Sequence, residues 1–299
     1  MRTVFLGTSD FAAEVLRRLT ASPHRPGLVV TRPDRPRGRG RKLASPPVAA
    51  LARELGLELD QPGSVNDPAA RARIADARPE VVCVCAFGAL IKEPLLCEYE
   101  MLNVHPSLLP RWRGAAPIER AIMAGDTETG VSIMRVTAGL DSGPVCVQAG
   151  EPIYDLDNYG RLAVRLSKLG GELLVRALDQ RPRCRAQDDA LATYAEKILA
   201  ADRELDPRRP ADELQRVVRA LAPHIGAYVV LHDGTRLAVL SARALASTGQ
   251  SPGELSIDER DRPVLACGEG ALELELVLPA GRHAMSGEDY VRGLRGRRR

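Results

Sequence analysis

Asn103 and His105 stand two residues apart after an apolar run, so on an extended backbone their side chains leave the same side of the strand. Pro106, Pro110 and Gly114 follow at once and end regular structure, which places both polar groups at a strand's end rather than on an open face. Asp141 supplies a separate carboxylate inside Gly139-Leu140-Asp141-Ser142-Gly143. A neutral amide donor, a titratable ring and one carboxylate are the groups that acyl transfer to an amine requires: a donor for a developing oxyanion, a proton carrier, and an acid to orient it. Each residue also has a plainer reading, as a turn cap, a satisfied core histidine and a turn aspartate. The three together are what make the chemical reading worth pursuing.

The elements that must hold these groups alternate. Thr3 to Gly7 reads as a buried strand, and Ser9 or Asp10 can cap a helix running from Phe11 to Leu19. Strands are expected at Leu28–Val30, Val81–Phe87, Leu102–His105 and Val131–Val136, with helices at Pro47–Leu55, Asp67–Ala77, Ala116–Ala124 and Tyr159–Leu178. Strand-helix alternation with apolar strands predicts an α/β fold, a Rossmann-like layer with a mostly parallel sheet. The pattern stops near Asp179. A polar, proline-punctuated stretch follows, then one helix at Ala211–Leu221 and several short segments with Gly and Asp-Gly turns, which predict a smaller OB-like β-barrel. The expected division is residues 1–183 as a catalytic domain, 184–205 as a linker and 206–299 as the barrel.

Composition narrows the function. Charged residues make up 27% and apolar residues 44% of the chain, which is ordinary for a globular protein. The net charge is only +3, but positive charge is concentrated. Arg32, Arg35, Arg37, Arg39, Arg41 and Lys42 share one Pro/Gly-rich stretch, and Arg292, Arg295, Arg297, Arg298 and Arg299 crowd the far end. The prolines and glycines keep the first cluster out of a helix, and an exposed cationic loop suits the phosphates of RNA. The six cysteines contain no Cys-x-x-Cys pair and no zinc spacing, so no metal is expected and all six are read as reduced thiols. Gly7 is alone in the first turn, which argues against a dinucleotide site. No Walker loop, His-Glu-x-x-His pair or Gly-x-Ser-x-Gly elbow occurs. No segment is long enough to span a membrane, and a cytoplasmic location is expected.

The chain resembles the methionyl-tRNA formyltransferase family. The resemblance is carried by Gly7-Thr8-Ser9-Asp10-Phe11, the basic stretch Arg32–Lys42, Asn103–Ile118, Gly139–Gly143, Thr193-Tyr194-Ala195-Glu196-Lys197-Ile198 and Gly281–Gly287, and so covers essentially the whole length. It departs where Ala222-Pro223-His224-Ile225 replaces the family's frequent Asn-Pro-Trp-Pro, which touches the second domain and not the chemistry. The resemblance implies transfer of a formyl group from 10-formyltetrahydrofolate to the amino group of methionyl initiator tRNA. It implies Asn103, His105 and Asp141 as catalytic residues, Ser107, Leu108, Leu109 and Pro110 as lining the folate site, and Val84 to Ile91, with Phe87 and Leu90, around the pterin. It further implies Arg35, Arg37, Arg39, Arg41 and Lys42 as tRNA contacts, with Arg39 foremost. A monomer is expected. Two rivals stay open: a folate formyltransferase acting on another amine or on water, and a non-catalytic RNA-binding relative.

Overall fold

The computed structural model describes residues 1–37, 42–246 and 249–296, with side chains of Arg37 and Lys42 left aside. In chain order the first elements are β1 (Thr3–Gly7), α1 (Asp10–Thr20), β2 (Pro26–Val30), β3 (Arg35–Arg37), β4 (Lys42–Ala44), α2 (Pro47–Glu54), β5 (Leu59–Asp60), α3 (Pro68–Asp76), β6 (Val81–Cys85), α4 (Leu95–Glu98), β7 (Met101–His105), β8 (Arg113–Gly114) and α5 (Pro117–Ala124). Then come β9 (Glu128–Arg135), β10 (Val145–Pro152), α6 (Tyr159–Gln180), β11 (Tyr194–Ala195), α7 (Ala211–Leu221), β12 (Ala227–Val230), β13 (Arg236–Leu245), β14 (Leu255–Ile257), β15 (Pro263–Ala266), β16 (Ala271–Pro279), β17 (Met285–Ser286) and α8 (Gly287–Gly296).

The chain divides into two compact units. The first comprises Met1–Gly114, Glu128–Pro152 and Ala163–Ala195; the second takes Ala115–Thr127, Ile153–Leu162 and everything from Glu196 onward. In the first unit a seven-stranded sheet has the order β10-β9-β7-β6-β1-β2-β5. β5, β2, β1, β6 and β7 are parallel to one another, whereas β9 runs against both β7 and β10. The mostly parallel sheet expected from the alternation is therefore present, with a reversed strand beside β7. Val4, Phe5, Leu6, Val82 and Cys83 have no accessible surface, and hiding a large apolar side chain contributes about 1.5–3 kcal/mol. Ser9 caps α1 as its position suggests, its side chain accepting from the Ala12 amide at 3.3 Å. β10 escapes the sequence reading because its exposure alternates along a Gln/Gly/Glu/Pro-bearing strand at the edge of the sheet.

The second unit holds an antiparallel sheet ordered β12-β13-β16-β15-β14, with β17 on β16. Leu214, Val217, Val218 and Leu221 of α7 follow helical spacing and are buried with Leu237, Val239, Leu272, Leu274 and Val277. The ladder is open among the described residues: β12 and β14 end it and do not pair with each other. The closed barrel expected from the short strands is therefore not formed by these pairings. Short strands with turns report antiparallel pairing but not closure, which depends on strand tilt and stagger.

Cys83, Cys85, Cys97 and Cys267 are free thiols. Burial pushes Cys83 up to about 12 and Cys267 up to about 11, so neither is a thiolate at neutral pH. Cys146 and Cys184 correct the expectation of six reduced thiols, since a disulfide joins them. The start of β10 and the segment after α6 run antiparallel there, Val145 and Arg185 exchanging amide-to-carbonyl hydrogen bonds of 2.8 Å, and this brings the two Cα atoms to 3.9 Å. A pairing 38 residues apart leaves no local trace in sequence. Among the described residues no helix is long and apolar enough to cross a membrane.

Candidate active site

β1 is flanked by β2 on one side and β6 on the other, so the chain reverses its direction of travel across the sheet between β1 and β6. In such folds ligands bind beyond the carboxyl ends of the strands near this switch point. The loops leaving that edge are tied together: Thr8 Oγ1 donates to the Phe87 carbonyl at 2.8 Å, and Arg32 reaches the Gly88 carbonyl at 3.2 Å.

Asn103 and His105 lie on β7 between β6 and β9, Asn103 facing Val84 and Met134 in register and His105 facing Ser132. Their Cα atoms are two strand rises apart, about 7 Å. His105 is 4% exposed, and its Nε2 lies 2.8 Å from the Trp112 carbonyl oxygen. A carbonyl only accepts, so Nε2 carries the proton and donates it. Nδ1 then faces Asp141, with Oδ2 at 3.7 Å. The same Oδ2 accepts the Gly114 amide at 2.9 Å, which fixes the carboxylate. Asn103 differs: it is half-buried, and its side chain makes no hydrogen bond within the described residues. The structure thus joins His105 to Asp141 and leaves an uncommitted amide two residues back along the same strand.

The backbone around these groups is unusual. Ala86, Trp112 and Asp141 have φ of 41°, 63° and 45°. Non-glycine residues in this region cost about 1–3 kcal/mol each, and such outliers gather where side chains must be aimed. Gly143 is required for a different reason: a Cβ there would lie 1.8 Å from the Arg135 carbonyl oxygen.

The six residues expected to line the folate site divide evenly. Ser107, Leu109 and Phe87 are buried, at 0%, 5% and 4% exposure. Ser107 Oγ donates to the Arg111 carbonyl at 2.6 Å, and the Leu109 amide donates to Ser132 Oγ at 3.1 Å, so both shape the Pro106–Arg111 loop from beneath. Phe87 belongs to the core formed with Leu6, Val30 and Val84. Leu108 and Pro110 are partly exposed and Leu90 is 71% exposed; these three present surface.

The basic stretch is a hairpin rather than a free loop, with Arg35 opposite Ala44, Pro36 opposite Leu43 and Arg37 opposite Lys42. Its base is clipped by Asp34, which accepts from Ser45 Oγ at 2.9 Å and from Gln61 Nε2 at 2.7 Å. These two bonds, with Arg53 nearby, hold the Asp34 carboxyl below its usual range. Arg35 is exposed; Arg39 and Arg41 lie outside the described residues.

Sequence reasoning missed the residues that support the site from the 184–195 segment. Arg113 is 3% exposed, its Nε donating to Gln187 Oε1 at 3.0 Å and Nη2 to Asp189 at 2.7 Å. Thr193 Oγ1 accepts the Trp112 amide at 2.9 Å, and β11 pairs with β8. The one available signal was the polar run Gln187-Asp188-Asp189, which stands shortly before the Thr193-Tyr194-Ala195 stretch. Among the described residues no group of His, Cys, Asp and Glu is arranged to hold a metal ion.

A doubly wound sheet with an amide and an imidazole facing a carboxylate at its carboxyl edge has groups suited to acyl transfer, and comparison with known proteins supplies the class. Residues 1–178 match the family described as formyl transferase, and residues 197–295 match the formyl transferase C-terminal domain. A methionyl-tRNA formyltransferase of Methylococcus capsulatus is 43% identical over 97% of this chain and 96% of its own length. The chain belongs to the methionyl-tRNA formyltransferase family. Among solved structures, HypX of Aquifex aeolicus in complex with tetrahydrofolic acid aligns with a TM-score of 0.66 at 17% identity, over 98% of this chain and 47% of that one. WlaRD, a sugar 3N-formyl transferase, aligns with a TM-score of 0.67 at 13% identity, over 95% of this chain and 99% of its own. At such identities the two structures speak for the fold alone.

Proposed function

We propose that this protein moves the formyl group of 10-formyltetrahydrofolate onto the amino group of methionyl initiator tRNA, giving N-formylmethionyl-tRNA for translation initiation. The observation that supports it best is the unequal state of the two strand-end groups in a member of this family: His105 is tied through Nε2 to the Trp112 carbonyl while Asn103 keeps its amide free. The surface residues suit the co-substrate. Leu90, Leu108 and Pro110 expose apolar area of the kind a pterin ring packs on, and Asn103 supplies an amide donor.

The folate supplies an activated formyl carbon. The chain's own residues must then stabilise charge and move one proton. An α-amine has a pKa of about 7.7–8.0, and esterification of its carboxyl lowers that further, so a useful fraction of the nucleophile is neutral without a strong base. Asn103 donates to the oxygen that becomes negative as the amine adds. The new N–C bond forms, the amine loses a proton, the old C–N bond breaks and the departing nitrogen takes a proton. His105 Nδ1, facing Asp141, is the group placed to accept the first proton or deliver the second. Asp141 either orients the ring and balances the positive charge it acquires, or itself takes the proton from the amine.

The remaining readings belong to the same proposal. Arg35, Arg37, Arg39, Arg41 and Lys42 contact the tRNA through its phosphates. Residues 1–183 act as the catalytic domain and 206–299, of OB-like character, as a tRNA-binding domain, while the 184–205 stretch expected as a linker packs with the first unit as far as Ala195. The protein works as a monomer in the cytoplasm. Release of tetrahydrofolate measured by absorbance, with charged initiator tRNA, an amino-sugar nucleotide, glycinamide ribonucleotide or water as acceptor, tests the central claim. Release is expected with the charged tRNA; comparable release with a small amine would transfer the protein to another acceptor class.

A further inference from the structure

Gln187 carries three hydrogen bonds in one direction of assignment. Its Nε2 donates to the Asp141 carbonyl at 2.8 Å and to the Gly143 carbonyl at 2.7 Å, while its Oε1 accepts from Arg113 Nε at 3.0 Å. The amide cannot be turned over. Two carbonyls only accept and a guanidinium only donates, so the flipped side chain would set acceptor against acceptors and donor against donor.

The contacts close on themselves. Arg113 holds Gln187, Gln187 holds the backbone of Asp141, and the Asp141 carboxylate accepts the amide of Gly114, the residue after Arg113. Arg113 is itself fixed by Asp189 and by its own amide bonding to the Thr193 carbonyl at 2.9 Å. The turn so gripped is the one that needs it. Asp141 sits at φ 45°, a conformation that favours glycine, and must keep Oδ2 turned towards His105 Nδ1.

We propose that Gln187 is a positioning residue for the reaction: its amide clamps the Asp141–Gly143 turn and thereby sets the carboxylate against the His105 ring. Gln187 bonds to the Asp141 and Gly143 carbonyls and to Arg113, so its grip on the carboxylate runs through the turn that carries it. The inference rests on the reading of Asp141 as part of the site.

Two variants of Gln187 test it in the full chain. Gln187→Met keeps the length and removes all three bonds; Gln187→Glu keeps the acceptor for Arg113 but removes both donors. Misplacing a catalytic group by about 1 Å costs about 10²-fold, so kcat in both variants should fall by about 10- to 100-fold. KM for folate and for charged tRNA should change by less than about threefold, because substrate-touching groups are unaltered. In an Asp141→Asn background Gln187→Met should add almost nothing, since residues acting as a unit are non-additive. Hydrogen exchange should quicken at amides of residues 139–143 and stay unchanged in β1, β6 and β7. A folded Gln187→Met protein with kcat within twofold of the parent, beside a slow Asp141→Asn, overturns the proposal. An Asp141→Asn variant of full activity would instead remove Asp141 from the chemistry. If Gln187→Met does not accumulate folded, Gln187→Asn, too short to reach both carbonyls, takes its place under the same criteria.

Discussion

His105 and the basic hairpin lie in the same unit and are held in opposite ways. The imidazole is buried, bonded through Nε2 and faced by a carboxylate that is itself fixed by a backbone amide. The hairpin is secured at its base by Asp34, Ser45, Gln61 and Arg53, and Arg35 stands exposed. The contrast follows from what each must do. Stabilising a developing charge demands donors aimed within a few tenths of an ångström. Attracting a phosphate backbone demands local charge density, which tolerates movement and is weakened by salt. Rigidity is therefore concentrated where the proposal places the making of a bond.

The largest effects should come from the strand end. Asn103→Ala and His105→Ala should each slow single-turnover formyl transfer by about 10²–10⁴-fold. Stability should separate them. Asn103 has no side-chain partner among the described residues, so its loss leaves the melting temperature unchanged; His105→Ala removes a buried ring and its hydrogen bond to the Trp112 carbonyl and should cost about 1–3 kcal/mol. Equal melting temperatures would contradict the hydrogen bonding described. A near-normal rate in either variant takes that residue out of the chemistry.

Effects on the hairpin should be smaller and of another kind. Replacing Arg35, Arg37, Arg39, Arg41 and Lys42 by Gln should raise KM for charged tRNA and leave folate affinity alone. The salt dependence of tRNA binding should flatten by about 0.7–0.9 log units per log salt for each phosphate that is no longer neutralised. An unaltered slope would make the hairpin a solvated surface and nothing more.

The smallest effect concerns the clip at its base. Because hydrogen bonds from Gln61 and Ser45 favour the ionised Asp34, its midpoint should lie below the ordinary 3.8. A carboxyl lowered in the fold lends support above the ordinary carboxylate range and loses it as pH falls through the lowered value. A carboxyl-resolved NMR titration should show this, and Gln61→Ala should move the midpoint upward; a midpoint already at 3.8 in the parent would deny the clip.

Much of the strand edge that carries Asn103 and His105 was legible from the residues. Asn103 and His105 declared themselves through their spacing on an apolar strand, and Ser9 through its place before an amphipathic run. What sequence could not show was contact between distant segments. Gln187 meets Asp141 and Gly143 across 46 and 44 residues, and Cys146 meets Cys184 across 38. Ser107 and Leu109 were expected to line a site and are instead buried beneath the loop surface, because burial of a loop residue depends on what passes beneath it. The hairpin was hidden by Pro36, which argues against a strand unless it lies at an edge.

The two matched family regions stop at 178 and resume at 197, yet Gln187, Asp189 and Thr193 lie in the interval. A chimera spliced at residue 179 would inherit a stranger's fastenings for Asp141, whereas one spliced at 196 would carry its own. Recombination between relatives should therefore be tolerated better at the later seam, where the brace and the turn it steadies are inherited together.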